Sequence, residues 1–135
     1  MTTSVTSLYV EAALMLPLFI LGLSHILQRQ MWVSFFVELA KKGHAGVIWR
    51  TFMLEVWPAV LIVVFHQDWR WPAILITIYG HLLMAEVTIS LLAPSIGLKS
   101  LQQAERAGQW AFLPAGMTLI GLSIVCAARV IPLSL

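Results

Sequence analysis

The segment WPAILITIYGHLLMAEVTISLLA, residues 71–93, is the most informative stretch of this chain. It is apolar and exceeds the roughly 20 residues that a helix needs to cross a bilayer. Two of its residues, His81 and Glu86, are nevertheless ionisable. Such groups cost free energy in hydrocarbon unless they face a bundle interior, a partner or water, so the segment predicts both a membrane helix and a polar site.

Composition assigns the whole chain to the membrane class. Of its 135 residues 60% are hydrophobic and only 10% are charged, and the mean hydropathy is +0.90. A soluble domain of this size carries far more charge. The lone Cys126 cannot form an intrachain disulfide or a CxxC motif. The net charge of +2 comes from loop residues rather than from a basic face, which excludes nucleic acid as a predicted partner.

Three further segments match the first in length and polarity. They cover residues 8–27, 48–65 and 112–131. Together with 71–93 they predict an all-α protein, a four-transmembrane-helix bundle in a single integral membrane domain over residues 1–135. The N-terminal segment, residues 8–27, has no Lys or Arg before it. A cleavable signal peptide would have such a basic region, so this segment is predicted to be a span.

The two long connectors are polar. In residues 28–47 the apolar side chains fall on one helical face and the charged ones opposite, which predicts an amphipathic helix in the interface between spans 1 and 2, ending at Gly43. Residues 94–110 are predicted to be a second connector, with Pro94 and Gly97 as breakers.

Basic residues predict the orientation. Six lie in or beside the two connectors, and two lie at the other ends of the spans: Arg29, Lys41, Lys42, Arg50, Lys99 and Arg106 against Arg70 and Arg129. By the positive-inside rule the connectors are cytoplasmic and both termini are non-cytoplasmic. The sequence therefore predicts a multi-pass protein of the bacterial inner membrane.

Four polar residues inside the spans are the candidate ligand- or proton-binding site: Glu55, Glu86, His81 and His25. Counted at 1.5 Å per residue, both glutamates lie about 10 Å from the cytoplasmic boundary, His25 about 5 Å and His81 about 18 Å. If all point inward, they form a column open toward the cytoplasm. Pro58 frees a backbone carbonyl beside Glu55, which predicts a kink and a polar pocket there.

Several chemistries suit this set. Glu55 and Glu86 would titrate as a coupled pair if they meet, which favours proton or cation binding. A metal site is disfavoured because His81 and Glu86 are about 140° apart around one helix. Haem ligation by His25 and His81 is disfavoured because their depths differ by about 13 Å. Structural hydrogen bonding between helices remains the alternative role of the glutamates, and no cofactor is identified.

Small residues on the fourth segment predict close helix contacts. Gly116 and Ser123 lie seven apart, as do Gly121 and Ala128, so we expect a homo-oligomer or a place in a larger membrane complex. Glu11, near the start of the first span, is expected at the outer edge, within reach of headgroups.

Short matches add two resemblances. LGLSHI (residues 21–26) late in a long first span, followed by an amphipathic connector and three spans, is similar to small four-helix bacterial inner-membrane proteins of the DoxX type, which implies association with membrane oxidoreductase complexes. The E-x-x-P step from Glu55 to Pro58 resembles the second span of MAPEG glutathione-dependent enzymes. Ile48 and Phe52 stand where that family has Arg and Asn, so no catalytic residue is carried over.

The sequence therefore predicts a non-enzymatic complex subunit or a small-ligand or proton-coupled carrier, with the lipid bilayer as its first partner. The first alternative is a membrane enzyme or a subunit of an oxidoreductase complex. The second is a structural assembly factor whose buried acids only lock helices together.

Overall fold

The apolar segments form helices because only a helix satisfies its own backbone hydrogen bonds in lipid. A computed structural model describes residues 4–133, and within that range every regular element is helical. The α-helices are α1 (Val5–Leu27), α2 (Arg29–Lys41), α3 (His44–Arg50), α4 (Val56–Phe65), α5 (Ile74–Leu92), α6 (Pro94–Ala107) and α7 (Phe112–Val130). The predicted all-α class with four candidate spans is confirmed.

The second span is longer than predicted. It runs without a break over His44–Phe65, because α3 continues through a π-helical turn, Thr51–Glu55, into α4. The other spans are α1, α5 and α7. A short 3₁₀ turn, Gly108–Ala111, leads into α7, and another, Ile131–Leu133, follows it.

Helix α2 is the amphipathic helix predicted between spans 1 and 2. Its Trp32 and Leu39 are buried, while Met31 and Phe35 on the same apolar side stay exposed. It ends at Lys41, and Gly43 takes φ +59°, a left-handed value that glycine adopts without a Cβ penalty. The predicted stop at Gly43 is thus confirmed.

The polar connector at residues 94–107 forms helix α6, so the prediction that Pro94 and Gly97 break the helix is wrong. Pro94 occupies the first helical turn, where a missing N–H costs nothing, so it starts the helix. Gly97 lies inside the helix, where a Cβ would come 2.5 Å from a Val47 side-chain methyl carbon. Leu101 packs on Leu39 and Val47, so α2, α3 and α6 share a small apolar core at one end of the bundle.

The main core joins all four spans. Its buried members are Val10, Leu14 and Leu18 of α1, Ile62 of α4, Ile76 of α5, and Leu119, Leu122 and Cys126 of α7. Helix α1 packs most extensively on α7, and α4 on α5. The layout of apolar span, shorter helix and apolar span thus occurs twice, and the first span of each half pairs with the second span of the other.

Close contact between α1 and α7 depends on two glycines. A Cβ on Gly22 would lie 2.8 Å from the Gly116 carbonyl oxygen, and the Ser123 hydroxyl donates to the Met15 carbonyl at 2.7 Å. Gly116 and Ser123, expected on a self-association face, therefore serve packing within the chain. Gly121 remains open, because no described residue outside its own stretch of helix comes within 4 Å of a Cβ placed there.

Candidate functional site

One buried guanidinium lies at the centre of the candidate site. Arg50, at the end of α3, is only 3% exposed, and its Nη2 donates to Glu86 Oε1 at 3.1 Å and to the Ser90 hydroxyl at 3.2 Å. Its Nε lies 2.9 Å from Glu55 Oε1. The structure therefore brings Glu55 and Glu86 together through Arg50, which in the sequence served only as one of the basic residues that predict the orientation.

The π-helical turn explains how Arg50 reaches Glu55. Two residues five apart are about 140° apart around an α-helix, which would turn their side chains away from each other. The wider π turn carries hydrogen bonds between residues five apart and brings such residues toward one face. Here the Val56 N–H donates to the Thr51 carbonyl, and Pro58 supplies no N–H for the Leu54 carbonyl. The π-helical turn ends three residues before Pro58, where the sequence predicts a kink.

Several polar atoms of the site remain unsatisfied. Although Arg50 Nε is close to Glu55, it makes no hydrogen bond, because its N–H does not point at that oxygen. The Thr51 hydroxyl lies near the Glu55 carboxylate, but among the described residues neither this hydroxyl nor Glu55 Oε2 makes a hydrogen bond of good geometry. Unsatisfied buried polar groups are uncommon in native proteins and cost about 1–3 kcal/mol each, so they mark this cluster for a functional explanation.

Glu86 connects the cluster to the outside of the bundle. Its side chain is 45% exposed, whereas that of Glu55 is 12% exposed. The Glu86 side chain opens into a groove of about 310 Å³ between α5 and α6. Apolar side chains of Leu82, Ile89 and Ile96 line this groove together with Ser90 and Ser100. The site is thus buried on the Glu55 side and reachable on the Glu86 side.

The two candidate histidines lie elsewhere. His25 stacks on Trp32 with ring centroids 4.1 Å apart and bonds through Nδ1 to the Leu21 carbonyl at 2.8 Å. His81 is exposed, bonds through Nδ1 to the Thr77 carbonyl at 2.8 Å, and lies near Trp69. Each imidazole is thus bonded to its own helix. The column of four residues does not form, and a ligand-binding role for either histidine stays a prediction.

A second polar cluster occupies the opposite end of the bundle, and it corrects the expectation for Glu11. That carboxylate is fully buried rather than at the edge among headgroups. Its Oε1 lies 2.7 Å from His66 Nε2, and Arg129 Nε donates to both of its oxygens at 2.9 Å. Arg129 also bonds Asp68 Oδ2 at 2.8 Å.

Glu11 is buried because of its helical register. Spacings of four, three and four residues place Ser7, Glu11, Leu14 and Leu18 on one buried face of α1. That spacing is the signal in the sequence that could have identified the burial. The partners His66 and Arg129 are 55 and 118 residues away along the chain, and no local pattern predicts them.

Comparison with family models, with curated proteins and with solved structures gave no match for this chain, so the DoxX-type and MAPEG resemblances stay expectations from the sequence.

Proposed function

We propose that this protein is a proton-coupled membrane carrier of a small cation, and that Arg50, Glu55 and Glu86 form its binding site. The observation that carries the proposal is the charge count of the cluster. Two carboxylates share one guanidinium, which leaves one negative charge in excess.

An excess negative charge inside a membrane helix bundle needs a counter-charge. Isolated carboxylates inside a membrane are costly, and they persist when they are paired, protonated or in contact with water. The cluster can therefore become neutral in two ways, by binding one proton or by binding one monovalent cation. Because both use the same excess charge, they compete, and such competition is the basis of exchange.

Access and burial support the same assignment. The exposed Glu86 side chain offers the entry point through the α5–α6 groove. Glu55 Oε2, which is buried and makes no well-formed hydrogen bond to the described residues, offers the inner position. The hydroxyl of Ser100 lies 3.5 Å from Arg50 Nη1, so the groove and the cluster share polar groups. A purely structural ion pair would not need an open side.

Flux in liposomes tests the proposal. The full chain is reconstituted with a pH-sensitive dye inside, and a gradient of sodium, potassium or tetramethylammonium is applied. At least one of these cations should drive proton movement in the opposite direction. Glu55→Gln and Glu86→Gln should each lower the flux to that of protein-free liposomes, because Gln keeps the shape and removes the charge.

Glu105→Gln is the matched control, since Glu105 is an exposed glutamate on α6. Unchanged flux in both site variants would contradict the proposal. A lower melting temperature of the site variants with no flux in any protein would favour the assembly-factor alternative. A haem or flavin absorbance band in the purified native protein would favour the oxidoreductase alternative.

A further inference from the structure

The cluster around Glu11, at the end of the bundle away from Arg50, carries an inference that does not depend on the proposed function. Arg50 and His66 are sixteen residues apart along the second span and its exit, a separation of about 24 Å for a helix. Glu11, His66 and Thr77 are all fully buried. Every hydrogen bond among them therefore needs a proton that one of these groups supplies.

The Thr77 hydroxyl fixes the first proton. Its oxygen lies 2.7 Å from the Asp68 carbonyl oxygen, a distance that two oxygens reach only with a hydrogen between them. A carbonyl carries no proton, and a threonine hydroxyl carries one. The Thr77 proton therefore points at the Asp68 carbonyl.

The His66 Nδ1 atom must then supply the next proton. It lies 3.0 Å from the same Thr77 oxygen, whose only hydrogen is already directed at Asp68. The oxygen can only accept here, so Nδ1 carries a hydrogen and donates it. A histidine that donates through Nδ1 and is neutral has no hydrogen on Nε2.

The remaining contact needs one more proton. His66 Nε2 and Glu11 Oε1 are 2.7 Å apart, and an unprotonated nitrogen facing a carboxylate oxygen would be repulsive. We infer that a further proton, besides the one on Nδ1, lies between His66 Nε2 and Glu11 Oε1. This pair is therefore a proton-binding site at the opposite end of the bundle from Arg50. The pair is either an imidazolium with a carboxylate or a neutral imidazole with a carboxylic acid.

The charges around the Glu11–His66 pair would allow the pair to exist with or without the shared proton. The groups that face the pair are Arg129 and Cys126 of α7 and, through Arg129, Asp68 and Arg70 of the loop. With the proton the buried set of Glu11, His66, Asp68 and Arg129 is neutral, and without it the balance needs Arg70, whose side chain is 40% exposed. The hydrogen bonds decide in favour of the occupied state.

Loss of the proton would change the local structure. The Thr77 hydroxyl would have to turn toward an unprotonated Nδ1, and the Asp68 carbonyl would lose its donor. Proton occupancy is thus coupled to how the loop after α4 is held on α5.

Nitrogen NMR of the full chain, labelled with ¹⁵N-histidine and embedded in lipid nanodiscs at neutral pH, tests this site. The shift of each ring nitrogen reports whether it carries hydrogen. Nδ1 of His66 should be protonated, with Nε2 either protonated or hydrogen-bonded to an acid. A neutral ring with hydrogen on Nε2 alone would overturn the inference.

Thr77→Val and Thr88→Val form a matched pair, because both threonines lie on α5 and Thr88 bonds only the Met84 carbonyl of its own helix in the described contacts. Thr77→Val should move His66 to the Nε2-protonated neutral form, and Thr88→Val should leave it unchanged. An unchanged His66 spectrum in Thr77→Val would contradict the hydrogen-bond assignment.

The His66 resonance is identified by its loss in His66→Gln. If that variant fails to fold, single variants of His25, His44 and His81 assign the His66 resonance by elimination.

Discussion

Asp68 shows how one loop residue connects the surface to the interior. Its carboxylate bonds Arg70 at 2.8 Å on the exposed side and Arg129 at 2.8 Å on the inner side, and Arg129 continues to Glu11. The hydrogen bonds from Arg70, followed by those from Arg129, hold the pKa of Asp68 well below its ordinary value. The ion-paired form is therefore the stable form at every physiological pH.

We expect Asp68→Asn to lower stability by about 3 kcal/mol, because it leaves Arg129 without one of its two carboxylates. A depressed pKa contributes stability above the unfolded-state value of about 4 and loses it as the pH falls toward the folded value. The difference in melting temperature between the native and variant proteins should thus be constant from about pH 5 to 9 and narrow below about pH 4. A difference that widens on acidification would contradict this account.

At the scale of the element, the two faces of α7 have different roles. Gly116 and Ser123 face α1, and Cβ atoms at Gly22 or Gly116 would come within 2.8 Å of the facing helix. Gly121 lines an apolar groove of about 400 Å³ between α5 and α7. The self-association expected from the sequence therefore depends on the Gly121 face alone.

Gly116→Leu should lower the melting temperature, with a cost of about 1–3 kcal/mol or more, because the backbone of α1 leaves no room for a side chain. Gly121→Leu should leave the melting temperature nearly unchanged and lower the oligomeric mass in mild detergent. Thermal unfolding together with mass measurement checks both. If both substitutions lowered the melting temperature equally, Gly116 and Gly121 could not lie on differently packed faces of α7. A monomeric native protein would contradict the oligomer prediction.

At the scale of the whole molecule, the two polar clusters lie at opposite ends of the spans and change how the basic residues are counted. Arg50 and Arg129 are bound in buried ion pairs, so they carry little information on the side of the membrane. Without them five basic residues remain beside α2 and α6 and one, Arg70, at the other end. By the positive-inside rule, this bias still predicts that α2 and α6 lie on the cytoplasmic side.

Cysteine labelling tests that orientation in a Cys126→Ala background. The side chains of Ser34, Gln67 and Gln103 are all exposed, so only the side of the membrane should decide whether a cysteine there reacts. An impermeant thiol reagent applied to intact cells should leave Ser34→Cys and Gln103→Cys unlabelled and should label Gln67→Cys. Labelling after permeabilisation confirms that the first two thiols are reactive. The reverse pattern would invert the topology and place the Arg50 cluster on the outer side.

The helical class, the four apolar spans and the amphipathic α2 with its stop signal at Gly43 could be predicted from the amino-acid order, because hydrophobicity, periodicity and turn chemistry are local properties of the chain. The start of the second span was missed. The sequence also selected Glu55 and Glu86, since an acid in an apolar run is conspicuous anywhere. Two contacts became visible only in the packed structure: Glu55 and Glu86 share the Arg50 guanidinium, and Glu11 contacts His66 and Arg129. The partner of a buried charge lies on another element, and whether it meets that charge depends on how each helix is rotated about its axis. That rotation is set by packing, such as Gly22 on Gly116 and the π turn before Pro58, which no single segment encodes.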